Sequence, residues 1–316
     1  MALLAVGLLL FEVTRSDGDA VVSVEQEAVV AMLEDVTDAE TETAAASSTI
    51  VAPSADADAT FPAIVDSAVR DAEDRAFPLP VTFEILEVIP HDTGAFTQGL
   101  ELSDGRLFES TGLVGESSIR ELDPDSGDVL RQVDVDEVFA EGLTVFEDED
   151  GSPDTAIQLT WQNGVAYRYD AQTFELLETY EYNTEGWGLC HDLMSDQLVM
   201  SDGTSTLYIR DPQDFSLIRS IDVSYAGVPV SLLNELECVG GRVWSNIWKS
   251  SLIIEIDIDD GVVTSVVDAT ALTPEGYLGS SSDVLNGIAF DESNGTFLVT
   301  GKRWPVLYRV RFIADG

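Results

Sequence analysis

The chain has 316 residues, with 59 Asp and Glu against 15 Lys and Arg, so its formal net charge is -44. A surface with this charge repels nucleic acids and anionic membrane surfaces, which excludes a nucleic-acid-binding function. Salt screens the repulsion between like charges, so the composition predicts an acidic-surfaced protein from a high-salt organism.

The first quarter of the chain differs in composition from the remainder. Residues 1–14 are mostly apolar and lack a basic group; the run is too short for a secure membrane span and is not a full signal peptide. We interpret it as the remnant of an export or anchor segment, which predicts an extracytoplasmic protein, secreted or tethered to the membrane through its N-terminus. Residues 15–80 are rich in Ala, Asp, Glu, Ser, Thr and Val, and cannot bury enough apolar area to offset their ordering entropy. We predict a disordered acidic tether over 15–80 and one folded domain over 81–316.

A short motif recurs through the folded domain, at intervals between 43 and 52 residues. We call its five copies the anchor tripeptides: Gln98-Gly99-Leu100, Glu141-Gly142-Leu143, Trp187-Gly188-Leu189, Asn234-Glu235-Leu236 and Asn286-Gly287-Ile288. A period in the forties is typical of the four-stranded blades of a β-propeller.

The residues between the anchor tripeptides alternate between short apolar runs and turns. Asp, Pro and Gly fit the backbone angles of tight hairpin turns, and they fill stretches such as 123–127 and 259–261. No stretch shows a long helical period. We therefore predict an all-β domain, a five-bladed β-propeller of four-stranded antiparallel blades. The alternating run Val81 to Ile89 is predicted to complete the last blade beside Leu307 to Phe312.

The first strand of each propeller blade lines the central axis, so equivalent first-strand residues converge at one end of one channel. These residues are Gln98, Glu141, Trp187, Asn234 and Asn286, and the ends of the second strands add Trp161, Trp248 and Lys302. Lys302 is one of only two lysines, the other being Lys249. A channel that required only packing would carry aliphatic or small residues there, so the set indicates a chemical site.

Each of these residues also has a structural interpretation. Glu141 could be satisfied by neighbouring backbone amides, the indoles could be core packing, and Gln98 and Asn234 could join neighbouring blades by hydrogen bonds. For Asn286 and Asp283 we favour the structural role.

The two cysteines and two histidines are not expected to form a metal site. Cys190 lies three residues after Trp187, and Cys238 lies four residues after Asn234, so their positions in the repeat differ by one residue. Adjacent residues of a strand face opposite sides of the sheet. We therefore predict two buried free thiols rather than a disulfide. His91 and His191 each precede an Asp and are interpreted as loop or turn residues. No Cys/His metal-ligand spacing is present, and no cofactor is expected.

Longer motifs carry a resemblance to a known family. They are Phe96-Thr97-Gln98-Gly99-Leu100, Glu141-Gly142-Leu143-Thr144, Gly186-Trp187-Gly188-Leu189, Ser201-Asp202-Gly203-Thr204-Ser205-Thr206-Leu207-Tyr208, Leu233-Asn234-Glu235-Leu236-Glu237, Asn246-Ile247-Trp248 and Thr300-Gly301-Lys302-Arg303-Trp304-Pro305. In the same order and in every blade, they resemble the glutaminyl-peptide cyclotransferases of the plant and bacterial type. The resemblance implies a five-bladed propeller and a metal-free transferase that converts the N-terminal glutamine of peptides to pyroglutamate and releases ammonia.

The resemblance also implies roles for individual residues. Glu141 resembles the family's catalytic acid/base, and we assign Lys302 and Asn234 beside it as catalytic donors. The implied substrate-binding residues are Gln98, Phe96, Phe139, Trp161, Trp187 and Trp248. Ala140, where a glycine is expected, and Arg303, after the lysine, depart from the family pattern. The expected partners are peptides with N-terminal glutamine, and the expected oligomeric state is a monomer.

Two other classes of function compete with this interpretation. A non-catalytic propeller could serve as a binding scaffold at the cell surface, since fold does not fix function. A lactonase-like hydrolase would hold calcium with carboxylates and amides, and Glu141, Asn234, Asn286 and Asp283 loosely imitate such a cluster. The indoles and Lys302 argue against a cation at that place.

Overall fold

The structure is a computed structural model that describes residues 14–16, 19–21, 79–135, 137–147 and 154–314. Within these ranges it contains 24 strands and one short 3-10 turn, Thr270–Leu272, so the prediction of an all-β protein is confirmed. None of the described residues belongs to a helix with the length and apolar character needed to cross a membrane. The predicted export remnant and acidic tether lie almost entirely outside the described residues.

Three antiparallel sheets of four strands follow one another along the chain. Sheet A is β4 (Thr97–Ser103), β5 (Arg106–Thr111), β6 (Ser118–Leu122) and β7 (Val129–Asp134). Sheet B is β8 (Ala140–Phe146), β9 (Thr155–Thr160), β10 (Val165–Asp170) and β11 (Leu176–Glu181). Sheet C is β12 (Leu189–Asp192), β13 (Gln197–Met200), β14 (Thr206–Arg210) and β15 (Leu217–Asp222).

The remaining strands form one large sheet and two small ladders. Sheet D runs β18 (Leu233–Val239), β19 (Arg242–Ile247), β20 (Leu252–Asp257), β21 (Val263–Asp268), β3 (Leu79–Pro90), β24 (Val306–Ala314), β23 (Thr296–Gly301) and β22 (Leu285–Asp291). The ladders pair β1 (Thr14–Ser16) with β2 (Asp19–Val21), and β16 (Ser224–Tyr225) with β17 (Val228–Pro229).

Strand β3 joins the two ends of the described domain. It pairs antiparallel with β24 along most of its length, from Val81 opposite Ala314 to Pro90 opposite Val306. Its first residues pair in parallel with β21 instead. The predicted pairing of the run at 81–89 with the run at 307–312 is confirmed.

The first strands of the sheets contact one another in a closed order. β4 contacts β8, β8 contacts β12, β12 contacts β18, β18 contacts β22, and β22 contacts β4. Repeated four-stranded antiparallel sheets in this arrangement are consistent with a propeller, and they bring the anchor tripeptides close to one another.

Glycine in the anchor tripeptides allows this close approach. A Cβ on Gly142 would lie 2.6 Å from the backbone nitrogen of Leu189, and one on Gly188 would lie 2.0 Å from the carbonyl oxygen of Asn234. A larger residue at either position would therefore push neighbouring first strands apart.

The prediction of two free thiols is wrong, because Cys190 and Cys238 form a disulfide with a Cα–Cα distance of 5.5 Å. Adjacent strand residues do face opposite sides: Leu189 packs against sheet B, and Cys190 packs in the cluster shared with β18–β21. However, neighbouring sheets meet through opposite faces. Cys190 lies three residues after the start of its anchor tripeptide, and Cys238 lies four residues after the start of its own. Because of this difference of one residue, the side chains of Cys190 and Cys238 point toward each other.

The two histidines have different surroundings. His91 follows β3 in a loop, as predicted, and its Nε2 lies 2.9 Å from Oε1 of the buried Glu109. His191 was predicted to lie in a loop or turn, and this is wrong, since it is inside β12. The turn begins only after Asp192, whose carboxylate accepts the backbone N–H of Ser195.

Candidate active site

One cavity of about 230 Å³ collects the site residues predicted from the sequence. Its lining comprises Phe96, Gln98, Phe139, Glu141, Trp161, Trp187, Asn234, Trp248, Ser281, Ser282 and Lys302. All nine predicted residues are therefore brought together. Ser281 and Ser282 were missed, because they lie in the segment before β22 and belong to no repeated motif.

The local backbone explains why these side chains meet. A β-bulge interrupts the start of four first strands, at Thr97/Gly99 in β4, Ala140/Leu143 in β8, Leu233/Leu236 in β18 and Leu285/Ile288 in β22. A bulge inserts one residue and re-aims a side chain. Gln98, Glu141 and Asn234 lie within these bulges.

Glu141 is the buried acid of the cavity, with 5% of its surface exposed. Its Oε1 accepts a hydrogen bond of 3.2 Å from Gln98 Nε2. Gln98 Oε1 in turn accepts one of 3.3 Å from Asn286 Nδ2, which also donates to the carbonyl of Thr97 at 3.0 Å. Asn286 therefore fixes which end of the Gln98 amide faces the acid.

Glu141 and Lys302 have their pKa values moved in opposite directions. Burial raises the pKa of Glu141 well above its usual value, while the ammonium of Lys302 acts in the opposite sense. Burial lowers the pKa of Lys302 to about 8, and the carboxylate of Glu141 opposes that change. An acid and an amine tuned toward neutral pH in one cavity can exchange protons with a bound substrate.

Aromatic rings form the walls around this pair. The ring centroids of Phe96 and Phe139 are 6.1 Å apart, and those of Phe139 and Trp161 are 5.6 Å apart. Trp187 and Trp248 pack edge to face at 5.2 Å. Lys302 Nζ lies 5.0 Å from the centroid of Phe96. The walls suit a small group with a flat amide.

Asn286 and Asp283, which could have contributed to a calcium cluster, are outside the cavity lining. Asp283 Oδ1 pairs with Arg303 at 3.3 Å, and its carbonyl accepts from the indole of Trp304. In the part of the chain that the structure describes, no three His, Cys, Asp or Glu side chains are grouped so as to hold a metal ion.

A carboxylate not identified from the sequence, Glu185, lies at this site. It accepts hydrogen bonds from the indoles of both Trp161 and Trp187. It stands two residues before an anchor tripeptide, but the other repeats have no acid at that offset to signal it.

Comparisons with known proteins identify the family to which this chain belongs. The family model for glutamine cyclotransferase matches residues 60–312. A glutaminyl-peptide cyclotransferase of Arabidopsis thaliana is 38% identical over 235 residues, which cover 72% of this chain and 70% of that protein. The crystal structure of Myxococcus xanthus glutaminyl cyclase matches with a TM-score of 0.69 and 38% identity, over 76% of this chain and 100% of that one. The resemblance carried by the sequence motifs is thereby confirmed, and the chain belongs to the glutamine cyclotransferase family.

Proposed function

We propose that the chain cyclises the N-terminal glutamine of peptides to pyroglutamate and releases ammonia. The observation that carries the proposal is the single cavity that combines Glu141, Lys302 and Asn234 with three indoles, in a member of this family. A cavity of about 230 Å³ is smaller than a typical drug-sized site, so it suits one side chain rather than a folded peptide.

The reaction is an intramolecular acyl transfer. The α-amine nitrogen attacks the side-chain amide carbon, a C–N bond closes the five-membered ring, and the bond to the amide nitrogen breaks to release ammonia. Both reacting groups belong to one residue, so fixing its folded conformer lowers the barrier. The aromatic walls would bind that folded conformer to the same extent before and during ring closure.

In this mechanism Glu141 is the proton shuttle. As a carboxylate it takes the proton that the attacking amine loses, and as a carboxylic acid it returns the proton to the departing nitrogen. Its raised pKa brings it closer to that of an α-amine, about 7.7–8.0, which favours transfer in both directions.

Lys302 and Asn234 are the proposed donors to the oxyanion that develops on the amide oxygen. Donors held in a dry cavity stabilise developing charge strongly, because they need no reorganisation during the reaction. Gln98 holds Glu141 through its amide hydrogen bond and stays a substrate-binding residue in this proposal.

The fold and the location belong to the same proposal. A five-bladed propeller is supported by five first strands that contact one another in a closed order, with β3 and β24 pairing in one sheet. An extracytoplasmic protein is supported by the disulfide between Cys190 and Cys238, since disulfides persist in oxidising compartments. A high-salt environment is supported by the net charge of -44.

The test is ammonia release from a short peptide with N-terminal glutamine, in molar salt, with and without a chelator. Release that resists the chelator and is lost in Glu141→Gln would support cyclisation by the protein's own groups. No release by folded wild type would overturn the proposed activity in favour of a binding scaffold. Release abolished by the chelator would refute a mechanism that needs no metal.

A further inference from the structure

The carboxylate of Glu185 connects two walls of the cavity. Oε2 accepts hydrogen bonds from the indole nitrogens of Trp161, at 2.7 Å, and Trp187, at 3.0 Å. Oε1 accepts one of 2.8 Å from the side-chain amide of Gln162. Both oxygens are thus engaged, and a single oxygen bonds both indoles.

These two indoles come from different sheets. Trp161 follows β9 of sheet B, and Trp187 precedes β12 of sheet C. The position of one indole relative to the other therefore depends on contacts between sheets B and C. The Glu185 carboxylate makes such a contact, because it accepts hydrogen bonds from both indole nitrogens.

Packing alone does not fix the orientation of the Trp161 indole. Trp161 is 37% exposed, and its ring touches Phe139 edge to face. Trp187 is backed by Gly203, where a Cβ would lie 2.6 Å from the ring. The hydrogen bond from the Trp161 indole nitrogen to Glu185 therefore fixes the direction in which the indole ring faces.

Glu185 itself is held by the backbone. The N–H of the next residue, Gly186, donates to the carbonyl of Trp161 at 2.9 Å. A Cβ on Gly186 would lie 2.2 Å from the hydroxyl of Tyr182. The segment that carries the carboxylate is thus tied to the residue whose ring the carboxylate holds.

The same carboxylate stays charged. Burial alone would raise the pKa of Glu185, but the hydrogen bonds from Gln162, Trp187 and Trp161 outweigh it and lower the pKa. Charged acceptors make stronger hydrogen bonds than neutral ones, so an ionised carboxylate holds the indoles more firmly than an amide would.

We propose that Glu185 is a positioning residue of the cyclisation, whose carboxylate joins Trp161 and Trp187 into one rigid clamp for the substrate glutamine. The inference rests on the proposed function for its substrate, but the clamp itself is a property of the free protein. The indoles contact bound glutamine before and during ring closure alike, so a looser clamp weakens both states equally. Such a loss raises KM and leaves kcat nearly unchanged.

The test compares Glu185→Ala, Glu185→Gln and the control Glu175→Gln, an exposed acid in the turn between β10 and β11 of sheet B. We expect Glu185→Ala to raise KM for a glutamine peptide about tenfold, with kcat within about threefold of wild type. Glu185→Gln keeps one acceptor oxygen and should restore part of the loss. The control should match wild type. A merely structural role for Glu185 would lower the melting temperature and the active fraction, and therefore kcat, at an unchanged KM.

A second experiment needs no substrate. Near-ultraviolet circular dichroism of the tryptophans should change in Glu185→Ala and in Trp161→Phe, which keeps a ring but loses the N–H donor. The two changes should be less than additive when the substitutions are combined, because both remove the bond between Glu185 and Trp161 and only Glu185→Ala also removes the bond to Trp187. Unchanged KM together with an unchanged spectrum in Glu185→Ala would overturn the clamp. If wild type released no ammonia but the spectra changed as expected, the proposed function would fail while the clamp stood.

Discussion

Replacing Lys302 by methionine should make the protein more stable and much less active. Lys302 is only 4% exposed, and its pKa falls from 10.5 to about 8, mainly because burial disfavours the charged ammonium. Methionine has a similar length and flexibility, so it should fill the same space beside Phe96 without strain.

The size of the effect follows from the lowered pKa of Lys302. A tenfold change in a proton-binding constant corresponds to about 1.4 kcal/mol, so carrying the charged lysine costs the folded state about 3 kcal/mol at any pH below about 8. The attraction of Glu141 is already contained in that pKa. Without the ammonium, Glu141 becomes a neutral acid more readily, so Lys302→Met leaves no buried unpaired charge.

The sign of the pH dependence provides a further check. Between about pH 8 and 10.5 the unfolded chain binds this proton and the folded protein does not. The free energy of unfolding of wild type therefore gains a contribution as pH rises through that window. Lys302→Met lacks the contribution, so the difference between the two proteins should shrink toward pH 10.5.

The assay is urea unfolding followed by tryptophan fluorescence, in molar salt at pH 7 and pH 10. Lys249→Met is the matched control, since Lys249 is exposed and its Nζ lies 4.1 Å from the ring centroid of Trp248. The control should change the free energy of unfolding by less than about 1 kcal/mol. Ammonia release by Lys302→Met should fall at least ~100-fold, as for the loss of an oxyanion donor. If Lys302→Met is instead less stable than wild type at pH 7, the burial argument is wrong.

Three other outcomes are expected. Cys190→Ser combined with Cys238→Ser opens a loop with a sequence separation of 48 residues and should lower the free energy of unfolding by about 4 kcal/mol; an unchanged urea midpoint would contradict this. The pH profile of kcat/KM should be bell-shaped. It should rise as Glu141 ionises, above the usual pKa range of a glutamate, and fall above about pH 8 as Lys302 loses its proton. A profile that is flat from pH 7 to 10 would rule out a charged Lys302 as donor. The melting temperature should drop in dilute buffer relative to molar salt, because 59 acids repel one another once screening is removed; equal melting in both would refute the high-salt interpretation.

The sequence by itself determined the strands and the content of the site. Turn residues and a period in the forties are local features, so they predict hairpins and repeats without knowledge of packing. The anchor tripeptides identified Gln98, Glu141, Trp187 and Asn234 because equivalent positions in a repeat occupy equivalent places. The pairing of β3 with β24 followed from the alternation at 81–89 together with the strand that the last predicted blade lacked.

Only the tertiary structure decided how neighbouring sheets meet. The contact of opposite faces pairs Cys190 with Cys238, although their strand offsets differ by one residue. Glu185 reaches two indoles from a segment outside the strands, and nothing in the repeat pattern marks that contact. The altered pKa values of Glu141 and Lys302 likewise arise from burial, which depends on what covers a side chain rather than on the residues beside it in sequence.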